Sequence, residues 1–269
     1  MLEAFGASGN VPQLLDGGQG RTWRAGDLVL KPVGREDEHH WVSEVLRSWP
    51  IDSGVRVPQP VPGAGGAWTS DGWGAHRWLP GDTATAKKDP DVFHEVSRDF
   101  HRVVADMQRP HFLDERDDPW SFGDRVAWEG QEPQGHPPTL ALLRSALAAL
   151  EPMDLPSQVV HGDLAGNVLT HAGLPPAVID WPPYFRPEGW ALAVIAMDAV
   201  CWEGAPISLL DEWAAQPGWD QLLLRAVIYR VGTRGRNEAL GLSPVGSDGY
   251  VARRGTSVDL VLDRIGRRT

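Results

Sequence analysis

Two short stretches hold the residues best suited to chemistry. Val159 to Leu169 reads VVHGDLAGNVL, and Ala177 to Trp181 reads AVIDW. In the first, an apolar strand end delivers His161, Asp163 and Asn167 into a short loop; in the second, a strand end delivers Asp180. The oxygen-bearing side chains of Asp163, Asn167 and Asp180 thereby converge on one region. Magnesium prefers hard oxygen ligands and keeps several waters, so one or two side-chain oxygens plus substrate phosphates typically hold it. Asn167 and Asp180 suit that task. Asp163 has a different one open to it, to accept or orient the proton of an attacking hydroxyl. The alternative is structural, with Asp163 and Asn167 capping a turn and Asp180 capping a helix. That account serves any one of these residues alone better than it serves the ordered set.

The order His-Gly-Asp, Asn, then Ile-Asp-Trp resembles the catalytic loop and metal-binding motif of the aminoglycoside phosphotransferase family, small-molecule kinases similar in fold to protein kinases. The resemblance runs from about Leu14 to Trp202 in the order of elements, and beyond that the chain matches only as generic helix. It implies that Asp163 is the catalytic aspartate, that Asn167 and Asp180 are the magnesium ligands, and that His161 is the structural histidine of the loop. Asp198 resembles the aspartate that supports this loop, although it lies farther from Asp180 than usual. The implied fold class is α+β and two-lobed, protein-kinase-like. A small antiparallel β-rich N-lobe with one helix, residues 1–80, binds nucleotide, and a larger, mainly helical C-lobe, residues 81–269, carries catalysis and substrate binding. One feature departs from the family. The protein-kinase signature H-R-D-L-x-x-x-N places the Asn five positions after the Asp, whereas Asn167 follows Asp163 by four, so the loop is one residue short.

A kinase also needs a lysine for the nucleotide phosphates and a helix glutamate to hold it. Lys31 lies in the apolar run Leu28 to Val33, where an unpaired ammonium is costly to bury. Glu38 falls on the same helical stripe as Trp41, Val42, Val45 and Leu46 and is the expected partner; a lysine snorkelling from an edge strand is the alternative. Gly17, Gly18, Gln19, Gly20, Arg21 and Thr22 join the first two strands and would lie over the phosphates, or form an ordinary hairpin turn. Arg77, Trp78 and Leu79 occupy the position of the kinase hinge, whose backbone would bind adenine. No Walker sequence is present.

The elements that must position these residues follow from periodicity and turn chemistry. Val11 to Leu15, Gly20 to Arg24 and Asp27 to Val33 read as strands broken by glycine turns, and Asp37 to Trp49 reads as an amphipathic helix. A hairpin joins Ala67-Trp68 to Trp73 to Leu79. Phe93 to Met107, Thr139 to Leu150, Trp190 to Trp202 and Leu222 to Val231 have helical spacing, with a short helix near Phe122 to Trp128. Val159-Val160 and Ala177 to Ile179 read as strands. The basic end, Arg253-Arg254 and Arg264 to Thr269, reads as a solvated helix face.

Composition narrows the function classes. Lys plus Arg number 25 against 36 Asp plus Glu, a net charge of −11, which disfavours nucleic-acid and anionic-membrane partners. One cysteine excludes an internal disulfide, and no leader or membrane-spanning run is evident, so a cytoplasmic protein is expected. Glu129, Glu132, Glu188, Glu203, Asp211 and Glu212 could attract a cationic acceptor or be solvated surface. The expected activity is ATP- and Mg2+-dependent transfer of a phosphoryl group to a hydroxyl of a small molecule, be it an aminoglycoside or other antibiotic, a sugar or a metabolite. The alternative is a non-catalytic nucleotide-binding scaffold of the same fold. A protein acceptor is disfavoured because only 18 positions separate Asp180 from Asp198.

Overall fold

The computed structural model describes residues 1–16, 20–243 and 249–267. The chain divides into two compact units, Met1–Ala84 with Asn167–Trp181, and Thr85–Gly166 with Pro182–Thr269. The first break falls between Ala84 and Thr85. Residues 167–181 group with the first unit, where the strand Val168–His171 pairs with Asp82–Thr83 and Ala177 bridges to Arg56.

In the first unit, β1 (Gln13–Leu14), β2 (Trp23–Ala25) and β3 (Leu28–Pro32) form an antiparallel meander. Gly26, at φ 64°, closes the turn between β2 and β3. α1 (Glu36–Arg47) follows, then β4 (Pro60–Val61), β5 (Thr69–Ser70) and β6 (Trp73–Arg77). The sheet order is β1-β2-β3-β6-β4, with β5 also on β6. Asp71 and Gly72, both with positive φ, make the two-residue turn that returns β5 as β6. Leu28 and Leu30 point into the core, which puts Val29 and Lys31 on the opposite face. A second sheet joins β7 (Asp82–Thr83) to β9 (Val168–His171) and β10 (Leu174–Val178). Arg56 ties that ribbon down, its N–H donating to the Pro176 carbonyl at 2.8 Å and its guanidinium to Pro175 at 2.7 Å.

The second unit contains α2 (Pro90–Val104), α3 (Phe112–Glu115), α4 (Pro119–Trp128), α5 (Pro137–Leu147) and β8 (Gln158–His161). β11 (Pro183–Arg186) pairs with β8, and then come α6 (Glu188–Asp198), α7 (Leu209–Glu212), α8 (Trp219–Ala239) and α9 (Tyr250–Gly266). Asp118 caps α4 by accepting from the Trp120 and Ser121 amides, both at 3.0 Å, and Pro119 supplies the preset φ of a first helical position. α6 is buried from Gly189 to Asp198, as a helix apolar on every side must be. α4 and α8 approach closely at Gly123, where a Cβ would strike the Tyr229 carbonyl and Thr233.

Several elements differ from their expected form. The helix expected over Trp190 to Trp202 ends at Asp198 and continues as one π-helical turn, Ala199–Glu203. β11 went unread because it opens on Pro183, a residue that strand patterning assigns to edges. The basic C-terminal segment is helical but not a solvated face: Arg254 and Arg264 are buried, 2% and 8% exposed, each paired with carboxylates. Among the described residues no helix is long and apolar enough to cross a membrane.

Candidate active site

In the second unit, β8 carries the apolar pair Val159 and Val160 into the core and ends on His161, itself fully buried. Gly162 follows against the Tyr184 ring, where a Cβ would collide, and its N–H donates to the Pro182 carbonyl at 3.1 Å. The His161 N–H donates to His101 Nε2 at 3.0 Å, and the Asp163 N–H donates to His161 Nδ1 at 3.1 Å. His101 Nε2 must accept, so its ring proton sits on Nδ1 and faces Ser97 Oγ at 3.2 Å. Two neutral imidazoles therefore fix the backbone that presents Asp163.

Burial pushes the His101 pKa down to about 4 from an ordinary 6.5, with Ser97 acting weakly the other way. Because the folded value is the lower one, the unfolded chain takes up a proton that the folded chain refuses. Stability is thus full above pH 6.5 and falls on acidification from 6.5 toward about 4, by up to roughly 3 kcal/mol for this group. Urea unfolding across that window checks it. His101→Gln, whose amide oxygen can still accept from His161, should flatten part of the slope, and an unchanged slope would remove His101 as its source. His76, whose pKa burial lowers to about 3, supplies a slope of the same sign.

The Asp163 side chain is held from α8. Arg230 Nη2 pairs with Asp163 Oδ1 and lies 2.5 Å from Asp198 Oδ2, while its Nε donates to that same oxygen at 2.9 Å. Arg254 of α9 donates to Asp198 Oδ1 at 2.6 Å. The result is a continuous ladder of alternating charge, Asp163, Arg230, Asp198, Arg254. Burial acts to raise the Asp198 pKa, but Arg230 and Arg254 prevail and hold it below the ordinary carboxylate value. Burial likewise opposes the charge on Arg230, yet Asp198 and Asp163 keep it protonated far above its usual range. Sequence reasoning missed Arg230 and misread Arg254. The available signal for Arg230 was a cation within the mostly apolar stretch Leu222 to Val231 of α8, a signal it shares with Arg225.

In the first unit, Lys31 lies on the face of β3 that it shares with Val29, opposite Gly74 and next to His76 in the β3–β6 register. Where the sequence reading pairs it with Glu38, the structure joins the ammonium to Asp180 Oδ1. Asp180 follows β10 in a left-handed conformation, φ 50°, which presents its carboxylate to Lys31. Glu38 instead sits in the first turn of α1, beside the Arg35–Asp37 pair at 2.6 Å, where acidic side chains complement the helix N-terminus. Both members of the Lys31–Asp180 pair are partly exposed, so it adds little to stability. The Ile179 N–H donates to the Asn167 carbonyl at 2.9 Å, which puts Asn167 and Asp180 at one end of the β9–β10 ribbon. An amide oxygen and a carboxylate there form a hard-donor set of the kind magnesium accepts, with the remaining positions left to water and phosphate. Among the described residues no group of three or more His, Cys, Asp or Glu offers a metal cage.

The remaining candidates are more ordinary. Gly18 lies outside the described residues, while Gly20, at φ 68°, turns the chain toward Arg21 and Thr22, whose carbonyl accepts from the Leu15 amide at 2.9 Å. In the expected hinge, the Arg77 and Trp78 amides are both engaged, by the Gln59 and Asp27 carbonyls at 2.8 Å, which leaves Leu79 as the next backbone group in line. The Arg77 side chain pairs with Asp27, and Arg24 lies 4.2 Å over the Trp78 ring. His39 packs edge-on against the His76 ring at 5.7 Å.

The family described as "Phosphotransferase enzyme family" matches residues 11–198. No curated protein matches the chain. Among solved structures, a choline/ethanolamine kinase family protein from Mesorhizobium loti is similar at 17% identity and TM-score 0.61, covering 95% of this chain and 92% of that one. Spectinomycin phosphotransferase APH(9)-Ia, solved with ADP and spectinomycin, is 14% identical, with TM-score 0.56 and coverage of 93% and 92%. A thermostable mutant of aminoglycoside phosphotransferase APH(4)-Ia, solved with ADP and hygromycin B, is 15% identical, with TM-score 0.56 and coverage of 93% and 94%. These likenesses show a shared fold.

Proposed function

This chain belongs to the phosphotransferase enzyme family, and on that premise we propose that it is a small-molecule kinase that moves the γ-phosphoryl group of ATP to a hydroxyl with Asp163 as the base. The observation that carries this reading is the support given to Asp163: a backbone fixed through His161 and His101, and a carboxylate fixed by Arg230. A carboxylate so oriented can receive the hydroxyl proton as the oxygen–phosphorus bond forms. Lys31 supplies donors for phosphate oxygens, and Asp180 and Asn167 supply the oxygens that would hold magnesium. Bound there, magnesium would neutralise charge on the phosphates. Catalysis then rests on positioning and charge, with no covalent bond to the protein.

Nucleotide binding tests the first unit by itself. Asp180→Asn should weaken magnesium-dependent ATP binding by roughly ten- to a hundredfold, the equivalent of one charge-assisted contact. It should leave binding in the presence of EDTA nearly unchanged. Titration with a fluorescent ATP analogue reads both, and equal loss with and without magnesium would remove Asp180 from the metal role. The acceptor is found by mass spectrometry of pooled hydroxylated compounds after incubation with magnesium and ATP. Failure to phosphorylate any pool despite nucleotide binding would favour the non-catalytic alternative.

A further inference from the structure

The second unit carries an open cavity of about 490 Å³, a size suited to a small ligand, between α4, α8, α9 and the π-helical turn. Its charged lining is Asp198, Glu203, Arg230, Arg234 and Arg254. The carboxylates are already engaged. Asp198 gives one oxygen to Arg230 and the other to Arg254, and Glu203 accepts from the Lys87 amide at 3.0 Å. The guanidiniums are not all satisfied: Arg254, 2% exposed, has its Nε and Nη1 buried without an acceptor. Buried charged donors lacking partners are costly, and an incoming anion relieves that cost where a cation adds like charge. Of the six acidic residues considered for attracting a cation, Glu203 alone lines this cavity, while Glu129 and Asp211 are held by Arg186 and Arg264, both at 2.6 Å.

The same wall offers a flat surface. The π-helical turn, an insertion often found at functional sites, brings Trp202 and Glu203 to the cavity. Trp202 remains 43% exposed, with its ring 5.7 Å from Tyr250 and 5.1 Å from the Arg254 guanidinium. An exposed tryptophan beside an underused guanidinium can take a ring-bearing molecule by its face and an attached oxyanion by its oxygens.

We propose that this cavity seats the acceptor of the kinase through an oxyanion, a carboxylate or a phosphate ester on a hydroxylated ring compound, with Arg254 meeting the oxyanion and Trp202 stacking on the ring. The proposal rests on the phosphotransferase reading above and departs from the amine-bearing acceptors that acidic surface residues would suggest.

The test uses the full chain with magnesium and ATP and three acceptor pools read by mass spectrometry. One holds hydroxylated carboxylates such as glucuronate and quinate, one sugar phosphates such as glucose 6-phosphate, and one amino compounds such as glucosamine, spectinomycin and choline. Phosphorylation in the carboxylate or the phosphate pool, and none in the amino pool, is expected and also separates the two anion sources. For the compound found, Arg254→Lys should raise KM by roughly tenfold or more with a smaller change in kcat. Trp202→Leu, at a half-exposed position that leaves the buried ladder intact, should raise KM with nucleotide binding unchanged. Product from the amino pool alone overturns the proposal and leaves the kinase standing, as does an acidic product whose KM neither variant moves. No product in any pool, with ATP bound, overturns it as well, and failure to bind ATP overturns the kinase reading with it.

Discussion

Asp163→Asn lowers phosphoryl transfer by roughly 10²- to 10⁴-fold while nucleotide binding is retained. The substitution keeps the size and one oxygen of the side chain, and both backbone supports survive it, since the His161 ring still accepts from the residue 163 amide. What disappears is the capacity to take a proton and the negative charge facing Arg230. Arg230 keeps two contacts to Asp198, at 2.5 and 2.9 Å, so the guanidinium stays in place and the fold changes little. Lys31 and Asp180 belong to the other unit. Steady-state kinetics on an identified acceptor, with a nucleotide titration and a thermal melt as companions, separates these effects. Transfer within tenfold of the unaltered protein would assign Asp163 to orientation at most, and parallel loss of ATP binding would mean that the substitution disturbs more than the proton acceptor.

How far the sequence alone reveals this arrangement depends on the range of the interactions involved. The strand ends that present His161, Asp163 and Asp180 are legible because each is set by a local apolar run followed by a turn. Lys31 is legible for a related reason: a scarce residue type in an alternating strand must face away from Leu28 and Leu30. Its partner was not legible. Glu38 is near in sequence and on the right helical stripe, but the pair is decided by the left-handed turn at Asp180, and nothing in the letters I-D-W encodes a positive φ. Arg254 fails for the opposite reason. Beside Arg253 it reads as a solvated basic stretch, and only the packing of α9 buries one of those neighbours at 2% exposure and leaves the other outside. The π-helical turn after Asp198 is invisible to a 3.6-residue period, because the apolar pattern continues through it while the backbone shifts register. Elements were therefore readable wherever one segment decided its own fate, and the charge ladder, built from four distant segments, was not.

That ladder carries the largest expected effect on stability. Asp198→Ala should cost about 3–5 kcal/mol, because it removes the carboxylate that Arg230 and Arg254 share and leaves the buried Arg254 guanidinium uncompensated. Asp198 itself is 8% exposed, Arg254 2%, and a second, apolar neighbourhood surrounds them in α6. Removing the cation as well should be less harmful than removing the anion alone: Asp198→Ala with Arg254→Met takes away both charges, and the cycle of single and double variants should show a favourable coupling on the order of 1–3 kcal/mol. Urea unfolding at neutral pH measures all four proteins. Additivity within about 0.5 kcal/mol would mean that Asp198 and Arg254 do not act as a pair. The folded Asp198 pKa lies below its ordinary 3.8, so its contribution is present above pH 3.8 and declines as pH falls through the lower folded value, and the Asp198→Ala penalty should shrink in strong acid. Arg230 links this energy to chemistry. With Asp198 gone it loses the two bonds that hold it beside Asp163, and the orientation of that carboxylate loosens. Asp198→Ala should therefore lower kcat even under conditions where the variant is fully folded, and rescue by Asp198→Glu, which restores the charge, separates that positioning effect from loss of packing.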